Sequence, residues 1–390
     1  LVTQGTRMTH CYTSAPVCSP TRAALLTGNY QQRITRNFDW VVGILHEGGG
    51  LPASEPTLPK MLKKRGYVTG MFGKWHLGGV PKEWPTVHGF DEFKGFVGGN
   101  LDFWTYENVR HQHELFDGNK PIKPKGYLTD LITDWSIDFI KQHKNRPFFL
   151  YLPYNAPHWP YQGYEKGLHN LNRDPNGSWD NWAIGGGSME IYRSMMERLD
   201  YGIGRVLKAL DENNLTNNTL VIFFSDNGGD VRYASNQPLR GWKCELYEGG
   251  IRVPCVFRWP GRIPAGRVCD QPIITMDITA SVLAATDTPR DLQARPPDGV
   301  NVLPVIGGKA PQIPRRFFWY AQPPGKKPTW RAVRDGDWKL VKQNEKAELF
   351  NLKNDPVEAK DLAGHNLQKL NELNKLYAQW EATLPSKTKK

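Results

Sequence analysis

The same order of elements recurs three times in this 390-residue chain: an amphipathic helix, a short apolar strand and then a polar cluster. Helices that alternate with buried strands are typical of parallel βαβ units. We therefore predict an α/β fold in which a mostly parallel central sheet is sandwiched by helices. The predicted helices lie within 57–64, 131–139 and 192–210, and the predicted strands within 67–72, 148–152 and 220–224.

Each of these predicted strands is followed by polar side chains that can carry chemistry. In parallel sheets the carboxyl ends of the strands meet at one edge, and ligands gather there. We therefore expect the side chains at the three strand ends to converge. They are Lys74 and His76 after the first strand, His158 after the second, and Asp226 and Asn227 after the third.

The pattern of the chain changes near residue 312. Three segments then have the composition of antiparallel strands, at 316–321, 330–341 and 347–352. A turn at Asp335-Gly336 divides the middle segment, and apolar residues at helical spacing follow over 367–384. We predict two domains, a large one over 1–312 and a small C-terminal α+β subdomain with an antiparallel sheet over 313–390.

Composition indicates a globular protein that attracts anions. Hydrophobic residues make up 39% of the chain, enough for a large core, and no apolar run reaches the ~18 residues of a membrane helix. The formal net charge is +11, but the basic residues are scattered, apart from a tail formed by Lys387, Lys389 and Lys390. A sulfated or otherwise acidic substrate is at least as natural as nucleic acid. We predict no nucleic-acid partner and no membrane span.

One cysteine stands just ahead of a predicted helix start, in the run Cys18-Ser19-Pro20-Thr21-Arg22. Pro20 fits the first helical turn, because its ring pre-sets φ and its missing N–H would have been unpaired there. Free amide groups and the helix dipole favour an anion near Cys18, and Arg22 can add a fixed cation. A cysteine taken alone is more often a small buried hydrophobic residue. The spacing of the other cysteines is irregular and predicts neither a disulfide framework nor a zinc site. They are Cys11, Cys244, Cys255 and Cys269.

The stretch over residues 18–28 resembles the signature of the type I sulfatases, a family of the alkaline phosphatase superfamily. Thr21 stands where serine is more frequent, and the cysteine, proline and arginine are all present. The resemblance covers nearly the whole chain and is greatest to arylsulfatases and to the N-acetylgalactosamine-6-sulfatase type. It implies an alkaline phosphatase-like fold, a catalytic role for the domain over 1–312, and oxidation of Cys18 to formylglycine by a formylglycine-generating enzyme.

The segment Gly73-Lys74-Trp75-His76-Leu77-Gly78 resembles the second sulfatase signature. Lys74 and His76 are separated by one residue, so on an extended segment both side chains would point the same way, toward one anion. The resemblance implies that Lys74 binds the sulfate oxygens. It implies that His76 holds a formylglycine hydroxyl and accepts its proton during product release.

Two further residues are candidates for contact with the leaving group. His158 lies in an aromatic-flanked, proline-rich loop, where a histidine can donate a hydrogen bond or act as a general acid; a structural histidine is almost as common there. Lys243 precedes the segment 247–254, and together they resemble the downstream block of the family. A lone lysine is normally a solvated charge, so its contact with sulfate and leaving group is implied by the resemblance.

Asp226 and Asn227 supply oxygen ligands of the kind that Ca²⁺ and Mg²⁺ prefer, although a lone Asp-Asn-Gly is more often an Asx turn. The resemblance implies that they bind Ca²⁺, or Mg²⁺, with the formylglycine oxygen at Cys18 and two aspartates from the first strand of the fold. Residues 1–8 look like the end of the first helix, so we expect one βα unit of ~30 residues upstream, in a longer gene product. A degenerate family member is the alternative.

The implied reaction is hydrolysis of a sulfate monoester, with a sulfated carbohydrate or an aryl sulfate as substrate. Two other functions stay open: a phosphonate or phosphate ester hydrolase of the same superfamily, and a non-catalytic glycan-binding relative without the full metal site. The family implies a secreted or periplasmic location, or a lysosomal one in a eukaryote. Side chains suited to stacking on sugar rings lie at Trp104, His111, His113 and Trp159.

Overall fold

The structure is a computed structural model that describes residues 1–42, 49–165, 187–289, 295–325 and 327–386. The chain divides into two compact units. The first unit combines Leu1–Val42 with Asn218–Lys390, and the second is Gly43–Asn217. The basic tail of Lys387, Lys389 and Lys390 lies outside the described residues.

The fold is mixed α/β, as predicted, and the predicted elements form with small shifts at their ends. The strands are β1 (Thr6–Tyr12), β2 (Val68–Lys74), β3 (Glu92–Phe96), β4 (Phe116–Asp117), β5 (Lys120–Pro121), β6 (Phe148–Tyr151), β7 (Val221–Phe224), β8 (Arg252–Arg258), β9 (Arg267–Cys269), β10 (Ile273–Ile274), β11 (Arg316–Ala321), β12 (Trp330–Asp335), β13 (Trp338–Gln343) and β14 (Lys346–Asn351). The helices are α1 (Cys18–Thr27), α2 (Gln31–Ile34), α3 (Leu58–Lys63), α4 (Leu128–His143), α5 (Met189–Glu212), α6 (Glu248–Ile251), α7 (Thr275–Ala285), α8 (Leu303–Ile306) and α9 (Leu367–Glu381). No helix in the described part of the chain is long and apolar enough to cross a bilayer.

In the first unit, β1 pairs in parallel with β9 and β10 and antiparallel with β8, which in turn pairs antiparallel with β7. Val221 of β7 lies opposite Arg258 of β8. The third repeat of the sequence therefore forms an antiparallel pair with the next strand. The reason is the connection over 225–251, which reverses the direction of the chain before β8 begins.

The first residues do not form the end of a long helix, so that expectation for 1–8 was wrong. Val2–Gln4 forms a single 3-10 turn, and β1 begins at Thr6. Thr6 and Met8 are buried whereas Arg7 between them is exposed. This alternation has the period of two that is characteristic of a strand.

In the second unit, β2 pairs in parallel with β6 on one side, as the first two repeats predicted, and with β3, a strand that was not predicted, on the other. Helix α4 covers β2, with the ring of Phe139 centred 5.7 Å from that of Phe72. A Cβ atom at Gly70 would lie 2.7 Å from the Phe139 ring, so this position has room only for glycine. The packing fixes β2, which ends at Lys74, against α4.

The C-terminal strands β11 to β14 form the predicted antiparallel sheet, each strand pairing with the next one in sequence. Their side chains share a core with residues from the start of the chain. The ring of Trp380 in α9 stacks on Phe318 at 5.1 Å and lies 5.3 Å from Tyr30. Residues from both sides of position 312 thus pack together, and the domain boundary at that position stays a prediction.

Candidate active site

Helix α1 begins at Cys18, which is 3% exposed, and Val17 before it is extended. Cys18 is thus the first residue of the helix rather than the residue before it. The hydroxyl of Thr21 lies 3.1 Å from the carbonyl oxygens of both Ala15 and Val17. The Thr21 hydroxyl therefore fixes the turn that leads into the helix. Serine has the same hydroxyl group, so threonine can take its place here.

Arg22 connects helix α1 to the end of strand β7. Its Nε and Nη2 atoms donate to the same oxygen, Oδ2 of Asp226, at 2.9 and 2.7 Å. The Arg22 side chain is 7% exposed and that of Asp226 is 27% exposed. Such charge-assisted hydrogen bonds to a carboxylate are strong and set its orientation. The structure thus brings together two residues that lie 204 positions apart in the sequence.

The turn after β7 presents the Asn227 side chain in a fixed orientation. Asn227 donates from Nδ2 to the carbonyl oxygen of Gly228 at 2.9 Å, and Ser225 donates its hydroxyl hydrogen to the Asn227 carbonyl oxygen at 2.9 Å. The Asn227 Oδ1 atom is buried and has no hydrogen-bond partner among the described residues. A buried amide oxygen without a partner is costly unless something binds it.

This turn has the chemistry of a site for a hard divalent cation. Oδ1 of Asn227 and the carboxylate of Asp226 are oxygen ligands of the type that Ca²⁺ and Mg²⁺ prefer. Within the described segments, no group of three or more His, Cys, Asp or Glu side chains could hold a metal ion. The fit of a cation therefore depends on the amide oxygen as well as on the carboxylate.

Lys243 lies on a loop that is attached to both of these elements. Its backbone amide donates to the carbonyl oxygen of Gly229 at 3.0 Å, and the amide of the next residue, Cys244, donates to that of Pro16 at 3.0 Å. The loop thus connects the turn after β7 to the segment before α1. Within the first unit the structure clusters five predicted residues: Cys18, Arg22, Asp226, Asn227 and Lys243.

The other three predicted residues belong to the second unit. Lys74 is the last residue of β2 and is 2% exposed, and its amide donates to the carbonyl oxygen of Pro153 at 2.9 Å. His76 is 8% exposed, and its amide donates to Val97 at 3.1 Å. Its φ of +59° is left-handed, so the assumption of an extended segment from Lys74 to His76 was wrong. The chain therefore leaves the strand conformation at this residue.

His158 follows β6 in a loop that fixes its ring. Its amide donates to the carbonyl oxygen of Asn155 at 2.8 Å, and Nδ1 lies 2.8 Å from the carbonyl oxygen of Trp159. A carbonyl oxygen only accepts, so Nδ1 carries the hydrogen and Nε2 of the neutral ring is an acceptor. His158 can therefore donate a proton from Nε2 only when its ring is protonated.

A buried charge cluster in the first unit was not predicted from the sequence. The Lys339 Nζ atom lies 2.8 Å from carboxylate oxygens of both Glu248 and Glu358. Burial, and then Glu248, raise the pKa of Glu358 to about 7 despite Lys339. Burial is also the largest influence on Glu248, but the charges of Lys339 and Arg334 and the hydrogen bonds from Lys339 and Tyr12 together lower its pKa. The burial of Lys339 could have been predicted from the sequence, because period-two alternation in β13 places it on the same face as Val341, which is buried.

Known families match the chain over most of its length. Residues 1–288 match the sequence model of the family described as Sulfatase. Residues 241–385 match a second model, described as N-sulphoglucosamine sulphohydrolase, C-terminal. The N-acetylgalactosamine-6-sulfatases of Canis lupus familiaris and Homo sapiens are 35% and 34% identical to the chain over 79% and 82% of its residues. The alignments cover 60% and 62% of those proteins, so the chain spans about three fifths of their length.

A solved structure matches the chain at similar identity. The crystal structure of Ps i-CgsB in complex with k-i-k-neocarrahexaose superposes with a TM-score of 0.85 at 30% sequence identity. The match covers 97% of this chain and 85% of that chain. The fold described above is therefore found nearly complete in a protein that binds an oligosaccharide.

Proposed function

Because the chain belongs to the sulfatase family, we propose that it hydrolyses sulfate monoesters, with a sulfated carbohydrate as substrate and aryl sulfates as model substrates. The observation that carries the proposal is the ion pair between Arg22 and Asp226. It joins the helix start at Cys18, which favours anions, to the turn with the oxygen ligands. The relatives named for N-acetylgalactosamine 6-sulfate and the structure with a bound neocarrahexaose favour a carbohydrate over other esters.

We propose that Cys18 becomes the nucleophile after its oxidation to formylglycine by a formylglycine-generating enzyme. Hydrated formylglycine supplies two hydroxyl groups on a single carbon, one to attack sulfur and one to lose its proton when sulfate leaves. The first amide groups of α1 and its dipole favour the negative charge on the sulfate oxygens. From the family resemblance we propose a secreted or periplasmic location, or a lysosomal one in a eukaryote.

We propose a divalent cation, Ca²⁺ or Mg²⁺, at the turn of Asp226 and Asn227. When bound, the cation supplies Lewis-acid polarisation of the substrate. Asn227 offers its buried Oδ1, and Arg22 fixes the plane of the Asp226 carboxylate. Ca²⁺ takes 6–8 oxygen ligands, so residue 18 and further groups complete the set.

The remaining roles are proposed from the family resemblance. Lys74 and Lys243 neutralise sulfate oxygens as charge builds up on them. His76 accepts the proton of the residue 18 hydroxyl. His158 in its protonated form donates from Nε2 to the leaving oxygen, and its Nδ1 bond to Trp159 keeps the ring oriented.

The proposal is tested by mass spectrometry of the peptide that contains residue 18, with parallel assays on an aryl sulfate and an aryl phosphonate. We expect the formylglycine mass and faster turnover of the sulfate. Cys18→Ala should lose activity by about 10³-fold or more, because no nucleophile remains. Cys269→Ala removes another buried thiol, in β9, and should keep activity.

Two results would point to the other functions. Faster turnover of the phosphonate would assign the chain to the phosphonate ester hydrolases of the superfamily. Tight binding of a sulfated glycan without turnover, by protein that carries formylglycine, would indicate a glycan-binding relative.

A further inference from the structure

A buried ion cluster attaches the C-terminal part of the chain to helix α6. Lys339 in β13 contacts Glu248, the first residue of α6, and Glu358, which follows β14, and all three side chains are 0% exposed. The second oxygen of Glu358, Oε2, accepts a hydrogen bond from the amide of Glu248 at 2.6 Å. Glu358 thus holds the start of α6 through both its charge and its hydrogen bond.

Helix α6 in turn supports the turn that carries Asp226 and Asn227. The amide of Gly228 donates to the carbonyl oxygen of Gly250 at 2.9 Å. A Cβ atom at Gly228 would lie 1.9 Å from the carbonyl oxygen of Gly249, so the two backbones are in direct contact. A shift of α6 therefore cannot leave this turn in place.

A second set of contacts returns from α6 to Glu358. The amide of Gly249 donates to the carbonyl oxygen of Arg240 at 2.6 Å. The Arg240 guanidinium donates to the backbone carbonyl of Glu358 at 3.2 Å and lies over the ring of Tyr247 at 3.9 Å. Glu358 thus contacts α6 in two ways: directly at the Glu248 amide, and through Arg240, which accepts from Gly249.

We propose that Glu358 is a positioning residue that acts through Glu248 and α6 to hold Asp226 and Asn227 where they bind a divalent cation. That the ligand is a divalent cation rests on the proposed function. That Glu358 and α6 support the turn of Asp226 and Asn227 does not depend on it. The removal of the Glu358 carboxylate leaves the buried amide of Glu248 without an acceptor and Lys339 with one carboxylate fewer. Buried groups left unpaired in this way cost free energy, which the start of α6 can recover by moving.

The test measures hydrogen exchange of the Gly228 amide in the full chain without added cation. It compares two variants of Glu358 whose new side chains are equally strained by the backbone conformation at this position. Glu358 has a left-handed φ of +59°, so glutamine and methionine are both unbranched replacements at the same strained position. In Glu358→Met no acceptor remains, and the Gly228 amide should exchange about tenfold faster. In Glu358→Gln the amide oxygen still accepts from Glu248 although the contact with Lys339 is lost, so exchange should rise less than in Glu358→Met.

The affinity for Ca²⁺, measured by calorimetry, is the second readout. Glu358→Met should bind Ca²⁺ roughly tenfold more weakly than the wild type, which is the effect expected for groups that orient metal ligands. Leu373→Ala is the control, because Leu373 is a buried residue of α9 outside the cluster. It should lower the melting temperature without changing either readout.

Wild-type exchange at Gly228 in Glu358→Met would overturn the proposal, as would an equal rise in exchange in Leu373→Ala. If Glu358→Met does not fold, Glu358→Asp replaces it, because its carboxylate is one methylene shorter and cannot keep both contacts. Failure of the wild type to bind Ca²⁺ would instead count against the proposed cation, and the exchange data would still decide the role of Glu358.

Discussion

At the scale of single residues, the Asp226 carboxylate is oriented by two donors of one arginine. Both Arg22 nitrogens converge on Oδ2. A guanidinium presents its donors in a rigid planar fork, whereas a lysine ammonium is a point charge on a flexible stem. Arginine at this position therefore fixes the direction of the carboxylate as well as its charge.

We predict that Arg22→Lys lowers kcat/KM for an aryl sulfate about ten- to hundredfold, the effect of losing a hydrogen bond between charged groups. Arg33→Lys is the matched control, because the Arg33 Nε atom lies 3.1 Å from both carboxylate oxygens of Asp298. It should lower the melting temperature similarly and keep activity. An equal loss of activity in both variants would contradict a specific role for Arg22.

Single residues also differ in how far the sequence could predict them. Cys18, Arg22, Asp226 and Asn227 stand in short motifs at strand ends or a helix start, so local sequence is enough to propose their chemistry. The contact of Glu358 with Glu248 joins residues 110 positions apart, and no local pattern marks it. Its burial is a property of the packed core and not of either segment.

At the scale of elements, a short 3-10 helix over Pro85–His88 supports the segment that follows β2. The ring of His88 lies 5.3 Å from that of Trp75, and both side chains are 0% exposed. Burial, with the positive charge of Lys60, lowers the pKa of His88 from 6.5 to about 3. The neutral ring is therefore the form that packs against Trp75.

The stability of the second unit should depend on pH through this histidine. The unfolded chain takes up a proton near pH 6.5 and the folded chain near pH 3, so the contribution of His88 is complete above pH 6.5 and is lost as the pH falls toward 3. His88→Phe keeps a ring against Trp75 and cannot titrate. Urea unfolding followed by circular dichroism should show a smaller loss of stability from about pH 7.5 to about pH 5 in this variant than in the wild type.

A histidine on the surface provides the comparison for this pH effect. The side chain of His111 is 45% exposed, so His111→Gln should keep the pH dependence of the wild type. If His88→Phe and the wild type lose equal free energy between the two pH values, His88 is not the group responsible.

The elements themselves were easier to predict than their ends and partners. Apolar periodicity predicted α4 and α5, because each buries one face, and apolar runs predicted β2, which is buried, and β6, which is half-buried. It did not predict that β7 pairs antiparallel with β8, since the pattern of a buried strand is the same for both directions. No local pattern indicated the left-handed backbone of His76, whose amide donates to Val97 just beyond the end of β3.

At the scale of the whole molecule, the C-terminal sheet and the start of the chain share one core in the first unit. Trp380 of α9 packs on Phe318 from the sheet and on Tyr30 next to α1. A core that is shared in this way is expected to unfold cooperatively. The predicted subdomain over 313–390 would then depend on the rest of the first unit for its stability.

We predict that Trp380→Ala lowers the free energy of unfolding of the first unit by about 3–5 kcal/mol, the usual cost of removing a large buried ring. Hydrogen exchange should show that the amides of α1 lose protection together with those of β11 to β14. Leu367→Ala, at a 62% exposed position of the same helix, should leave both unchanged. Full protection of α1 in Trp380→Ala would instead favour a separate domain that begins near residue 313.

All ten residues of α1 are buried, and this has a consequence for the timing of the proposed oxidation. A modifying enzyme has to reach the Cys18 side chain, which is only 3% exposed in the folded chain. We therefore expect the proposed oxidation to take place before α1 is packed into the folded chain, in competition with folding. Variants that fold faster should then be modified less completely, so the yield of active protein would be limited by kinetics even where the folded state is very stable.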